Sequence, residues 1–97
     1  MASFIMLANF TDQGVRAAKD TTKRYDAFKE AVGRSGVTIK DIYWTLGHYD
    51  IVAICEAPDD ETATAAFLSL GVAGNIRTQT LRAFSRGEMD KIIGKMM

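Results

Sequence analysis

A chain of 97 residues that is 47% hydrophobic and 25% charged is long enough to bury a core, and its single proline excludes a disordered, linker-rich chain. Its twelve basic residues balance twelve acidic ones, so no charge excess draws it to phosphate backbones or anionic lipid; neither nucleic acid nor membrane is an expected partner. The lone cysteine, Cys55, excludes an internal disulfide framework and fits a reducing cytoplasm.

The run Phe4 to Phe10 is apolar, too short for a helix and ended by Thr11-Asp12-Gln13-Gly14, which predicts a buried strand. The first residues have neither the basic leader nor the cleavage site of a secretory signal, and no stretch of the sequence reads as transmembrane. From Val15 onward, Val15, Ala18, Tyr25, Phe28 and Val32 fit one helical face. Asp20-Thr21-Thr22-Lys23 offers a fresh cap within that stretch, and Gly33-Arg34-Ser35-Gly36 terminates it. Val37 to Leu46 predicts a second strand, Gly47-His48 a two-residue turn, and Tyr49 to Glu56 the antiparallel return. Pro58 stops that strand, and Asp59-Asp60-Glu61 puts acids where the exposed amides of a helix start favour them. Ala63, Ala66, Phe67 and Leu70 form the buried stripe of that helix, which Gly71 and Gly74 end. Ile76 to Phe84 predicts a fourth strand and Arg86 to about Met96 a last helix. The order β-α-β-β-α-β with a tail helix is α+β and ferredoxin-like, read as one domain over residues 1–97.

Side chains alternate across a strand, so Phe4, Met6, Ala8 and Phe10 share one face while Ile5 and Leu7 share the other. The third strand repeats the pattern, with Ile51, Ala53 and Cys55 opposed to Val52 and Ile54. Both faces are apolar, yet the two long helices of this fold pack on one side only. The other side needs a cover. A second copy laying its sheet across the first supplies one and makes the chain at least a dimer; the C-terminal helix folding back with Met89, Ile92, Ile93, Met96 and Met97 is the competing cover.

Three stretches carry a resemblance to a known family. Trp44-Thr45-Leu46-Gly47-His48-Tyr49-Asp50-Ile51-Val52 is the most specific; Asn75 to Phe84 and Leu7 to Gly14 extend it over almost the whole chain. The sequence resembles the GYD domain family of small bacterial and archaeal proteins, departing at Thr22, where the family often has a proline that starts the main part of the first helix. The resemblance implies a dimeric ferredoxin-like protein of the α+β barrel type whose biochemical role is generally unassigned. The hairpin is also similar to the ligand-binding domain of the leucine-responsive transcription regulators, where a Gly-x-Tyr-Asp turn helps form an effector site between subunits. That likeness implies oligomerisation and small-molecule sensing, not DNA binding, and fold analogy alone transfers no function.

Gly47, Tyr49 and Asp50 each have a structural reason to stand in a turn: glycine bends the chain, tyrosine packs over the strand ends, aspartate bonds turn amides. The functional alternative is that the turn frames a small-molecule pocket to which Tyr49 and Asp50 present polar groups. Asn75 and Arg77, entering the fourth strand, are candidates for holding a carboxylate, with a surface ion pair to the Asp59-Asp60-Glu61 group as an equally cheap alternative. Arg77 and Arg82 have opposite strand parity and do not line one flat cavity together. Trp44 shares its side with Ile42 and Leu46 and reads as a core or interface anchor, and Cys55 as a small buried hydrophobe. His48 is the sole histidine. Set with Asp50 and Tyr43 around an apolar cavity, it would suit a small dimeric-barrel enzyme of the isomerase or cofactor-free oxygenase type. His48, Asp50 and Cys55 are too sparse for a zinc site, and Gly71-Val72-Ala73-Gly74 lacks the lysine of a phosphate loop, so no metal or cofactor is expected. The favoured reading is an oligomeric small-molecule-binding or assembly module.

Overall fold

Strand β1 (Ala2–Phe10) runs through the middle of a four-stranded antiparallel sheet in the computed structural model, which describes residues 1–97. The strand order is β2-β3-β1-β4, with β2 spanning Thr38–Trp44, β3 Ile51–Ala57 and β4 Ile76–Ala83. This order is the one a ferredoxin-like chain requires, because each helical crossover skips the strand lying between its two ends. Along β1, Phe4 stands opposite Cys55 on one side and Arg82 on the other, and Ala8 stands opposite Ile51 and Thr78.

The first helical stretch is in three pieces and restarts at Thr21, where Asp20-Thr21-Thr22-Lys23 offered a fresh start. Helix α1 (Asp12–Arg16) is followed by a 3-10 turn, Ala18–Asp20, and then by α2 (Thr21–Gly33). Thr11 caps α1, its hydroxyl accepting from the Gly14 amide at 3.1 Å. The expectation that Val15 and Ala18 continue the buried face of α2 is therefore corrected: the break turns Val15 outward, and it is exposed. Gly14 is required at this corner, since a Cβ there would lie 1.9 Å from the Asn75 carbonyl oxygen.

The hairpin between β2 and β3 is wider than the expected two residues. Its closing pair is Thr45 and Asp50, with the Thr45 amide donating to the Asp50 carbonyl at 2.8 Å. Gly47 takes φ +112° inside that loop. Leu46 is thrown clear of the sheet and is fully exposed, so it does not extend the Ile42–Trp44 stripe as its spacing suggested. A bulge between Ile39 and Asp41 compensates inside β2, leaving Lys40 out of the pairing register. Ile39 and Ile42, three residues apart, thereby stand opposite Cys55 and Ala53, both of which face the helices.

Helix α3 (Asp60–Val72) starts on Asp59, whose carboxylate accepts from the Thr62 amide at 2.7 Å; that bond holds the Asp59 carboxyl below the usual range. Helices α2 and α3 lie on one side of the sheet, where Phe28 and Phe67 approach with ring centroids 6.2 Å apart. The core occupies that side: Phe4, Met6, Ala8, Ala53, Cys55 and Phe67 are among its buried residues.

Helix α4 (Arg86–Ile93) begins with a reciprocal cap between Ser85 and Glu88, yet none of its residues is buried. The chain measures 50 × 31 × 19 Å, and its radius of gyration is 14.6 Å. A closed globule of this length has a radius of about 12.5 Å, so the chain is extended beyond that shape. Its thin axis matches one sheet and one helix layer at about 10 Å each. The C-terminal helix does not fold back over the second sheet face. No helix is long and apolar enough to cross a membrane.

Candidate functional site

Three places in this frame carry the chemistry that the sequence offers: the Gly-x-Tyr-Asp hairpin, the outer face of the sheet, and a groove among the helices. In the hairpin, Asp50 works as an extension of the ladder. Its amide donates to the Ala8 carbonyl at 2.8 Å, and its Oδ2 accepts from the Phe10 amide at 2.9 Å, so it replaces a strand residue that β3 lacks at that end. The Thr45 hydroxyl donates to the Tyr49 carbonyl at 2.6 Å and fixes the turn. Tyr49 leans across the sheet, its hydroxyl 3.1 Å from Gln79 Oε1 on β4.

The predicted site residues reach one end of the sheet without sharing one hollow. Asp50 binds β1 at Ala8 and Phe10, and Ile76, between Asn75 and Arg77, pairs with the same Phe10. Asn75 is occupied in joining elements: its carbonyl accepts from the Thr11 amide at 3.1 Å and its Oδ1 from Gln13 Nε2 at 3.1 Å. Arg77 stands opposite Asn9 on the outer side and borders a shallow depression with Thr11 and Gly74. His48 is exposed at the hairpin tip, Tyr43 lies on the outer face opposite Val52, and the Asp50 carboxylate is engaged by Phe10. None of those three side chains lines the groove among the helices or the depression beside Arg77.

The outer face is built from the alternate residues of the same strands. Two neighbouring rows cross it: Tyr43, Val52, Leu7 and Gln79 in one, and Asp41, Ile54, Ile5 and Leu81 in the other, apolar at Tyr43, Val52, Leu7, Ile54, Ile5 and Leu81. Ile54 is 37% exposed and Leu81 40%, with no element of the chain laid over them. At the far edge Arg82 turns to the opposite side, over the Phe4 ring at 5.6 Å and the Phe84 ring at 4.6 Å. It donates to the Ser3 carbonyl at 3.2 Å and also to the Ala83 carbonyl, and approaches Asp60 at 3.9 Å and Glu88 at 3.7 Å. Arg82 is thus the link between β4, the start of α3 and the start of α4. The Ser85 amide first, and Arg82 after it, hold the Glu88 carboxyl below its usual range.

On the helix side lies a half-open groove of about 880 Å³ between α2 and α3. Its walls are low because small residues line them: Ala27 and Ala31 on α2, Ala65 and Ser69 on α3. Met6, Ala53 and Cys55 make the floor. Burial pushes the Cys55 thiol up to about 11, as a small hydrophobe in a strand requires. Trp44 closes one end, its Nε1 donating to Thr21 Oγ1 at 3.0 Å and its ring meeting Tyr25 edge-on at 6.0 Å. The hairpin residues 47–50 do not line this groove. Its only signal in the sequence is the run of alanines at helical spacing, which reads equally well as close helix packing.

A profile of the GYD domain matches residues 4–93, from within β1 to the end of α4. The chain belongs to the GYD domain family. This GYD chain is 34% identical over 84 residues to a protein of Thermus thermophilus named glutamine synthetase and cystathionine beta-lyase binding protein; the match covers 86% of this chain and 88% of that one. It is similar in fold to the crystal structure of TTHA0845 from Thermus thermophilus, with a TM-score of 0.52 and 24% identity over 88% of this chain and 95% of the other.

Proposed function

We propose that this chain is a self-pairing, protein-binding assembly module, in which a second copy covers the outer sheet face and the two sheets form an α+β barrel. The observation that carries the reading is the uncovered patch made by Tyr43, Val52 and Leu7 in one cross-strand row and Ile54, Ile5 and Leu81 in the next. An apolar sheet face of this extent is an aggregation hazard unless another surface lies against it, and a like copy related by a two-fold axis is self-complementary there. Tyr49 and its Gln79 partner sit at the margin of that face, so the hairpin borders the seam in the paired form. The protein-binding part of the reading is supported by the name of the Thermus relative, which gives glutamine synthetase and cystathionine beta-lyase as what that protein binds. Helix α4 has no buried residue, and its exposed Met89 and Ile93 are available to a partner.

Light scattering at micromolar concentration tests the pairing. The expected mass is twice the 10.7 kDa of one chain. Ile54→Lys puts a charge into the seam and should yield a folded monomer, by circular dichroism, with at least a hundredfold weaker association. A monomeric wild-type protein, or an Ile54→Lys variant that still pairs, overturns the proposal. Binding to the glutamine synthetase of the same source, measured by surface plasmon resonance with the same two proteins, tests the partner reading separately.

A further inference from the structure

The groove between α2 and α3 is on the opposite side of the sheet from the proposed seam, so its use is independent of pairing. Its volume of about 880 Å³ lies within the range of small-molecule sites, and 18 of its 25 lining residues are hydrophobic. The polar groups are not scattered evenly. The helices follow antiparallel strands β1 and β3, so α2 and α3 run in opposite directions. The first turns of α2, with Thr21 and Arg24, therefore mark one end of the groove, and the first turn of α3, with Glu61, marks the other.

Arg24 is chemically unfinished. Its Nη1 donates to the Ala17 carbonyl at 2.6 Å, while Nη2, shielded from solvent, has no hydrogen-bond partner. The ion pairs of the molecule use Arg34, Lys40, Arg82 and Arg86; none uses Arg24. A guanidinium N–H that has lost its water and found no acceptor carries a free-energy cost, and such a group calls for an explanation. An anion entering the groove supplies the missing acceptor and the missing counter-charge together once the Arg24 side chain turns its shielded Nη2 toward it, with a carboxylate matching the fork of the guanidinium best.

We infer that this groove is a binding site for a small molecule with an apolar body and one anionic head group, a carboxylate above all. The head rests on Arg24 and the body lies between the exposed alanines Ala27 and Ala31 of α2 and Ala65 of α3. Glu61 at the far end sets polarity: it repels a second negative charge, so dicarboxylates bind worse than monocarboxylates of the same length.

Decanoate and decanol serve as probes, with binding followed by amide and methyl resonances in NMR titrations. Decanoate should shift resonances of Ala31, Ala65 and Ala53 in a saturable manner. Arg24→Gln should weaken decanoate at least tenfold and leave decanol within about twofold; Ala31→Leu, which fills the groove, should weaken both. Equal decanoate affinity in Arg24→Gln and wild type, or shifts confined to Ile54, Leu81 and other outer-face residues, overturns the site. Should Ala31→Leu fail to fold, the decanoate-to-decanol ratio in Arg24→Gln decides alone. A chain that is monomeric yet binds decanoate at the groove sinks only the pairing proposal, and a paired chain whose groove resonances stay still sinks only this one.

Discussion

On the helix side of β1 and β3, Phe4, Met6, Ala8, Ile51, Ala53 and Cys55 are all buried, whereas on the outer side Ile5, Leu7 and Val52 are half-buried and Ile54 and Leu81 stand exposed. The two sets alternate along the same strands and are comparably apolar, so local sequence treats them alike. What separates them is which side the crossovers α2 and α3 take, and both take the same side. Hydrophobicity in excess of what the chain itself covers then becomes information about something outside the chain. The helix side teaches the complementary lesson: even the covered face is incompletely filled, because alanines on the facing helix surfaces leave a groove above the floor.

The sharpest contrast between the faces is a pair of truncations. Phe67→Ala, on the covered side and in contact with Phe28, should cost about 3 kcal/mol in chemical denaturation, the lower end for a buried phenylalanine because the groove lets neighbours relax. Ile54→Ala on the outer side should cost below about 1 kcal/mol in a dilute, unpaired sample. If the two costs are similar under dilute conditions, the two faces are not distinct in the way described. A smaller effect is expected where the faces meet. Asp50→Ala removes the acceptor of the Phe10 amide and should destabilise by about 1–2 kcal/mol, with faster amide exchange at Phe10 as the local signature. Unchanged exchange there would assign Asp50 to something other than the strand end.

The smallest effect concerns α4, which belongs to neither face. The Glu88 carboxyl is depressed by its bond to the Ser85 amide, so its contribution to the helix is present above the ordinary glutamate range and is lost as pH falls through the lowered value. Acid titration should therefore fray α4 at Ser85 and Glu88, seen as NMR shift changes, while core resonances of Phe4 and Cys55 stay native. Loss of α4 and core together would mean that the helix is packed more firmly than its exposure indicates.

Much of the frame is legible from residue order. Apolar alternation in β1 and β3, Pro58 with the acidic start of α3, and the Gly-x-Tyr-Asp hairpin each act through neighbours a few positions away, which is why they are readable. The restart of the first helix at Thr21 is legible in Asp20-Thr21-Thr22-Lys23, but two features escaped for one common reason. The bulge at Lys40 depends on keeping both Ile39 and Ile42 against the helices, and the hairpin width depends on Asp50 reaching Phe10. Each is set by a contact between residues distant in the chain or across strands.

The candidate site divides along the same line. Sequence spacing marked Gly47, Tyr49, Asp50, Asn75 and Arg77, and the fold gathers them near the Phe10 end of β1. It could not show that Asp50 and Asn75 are occupied in joining elements, that Arg24 keeps an unmatched N–H, or that the groove runs between alanines of two helices. By itself the sequence determined the α+β order of elements, the two apolar strand faces and membership of the GYD family, because periodicity and short motifs are local properties of a chain. Only the tertiary structure decided which face is covered, where space remains and which polar groups are left unpaired, because burial and hydrogen-bond satisfaction exist only once distant segments meet.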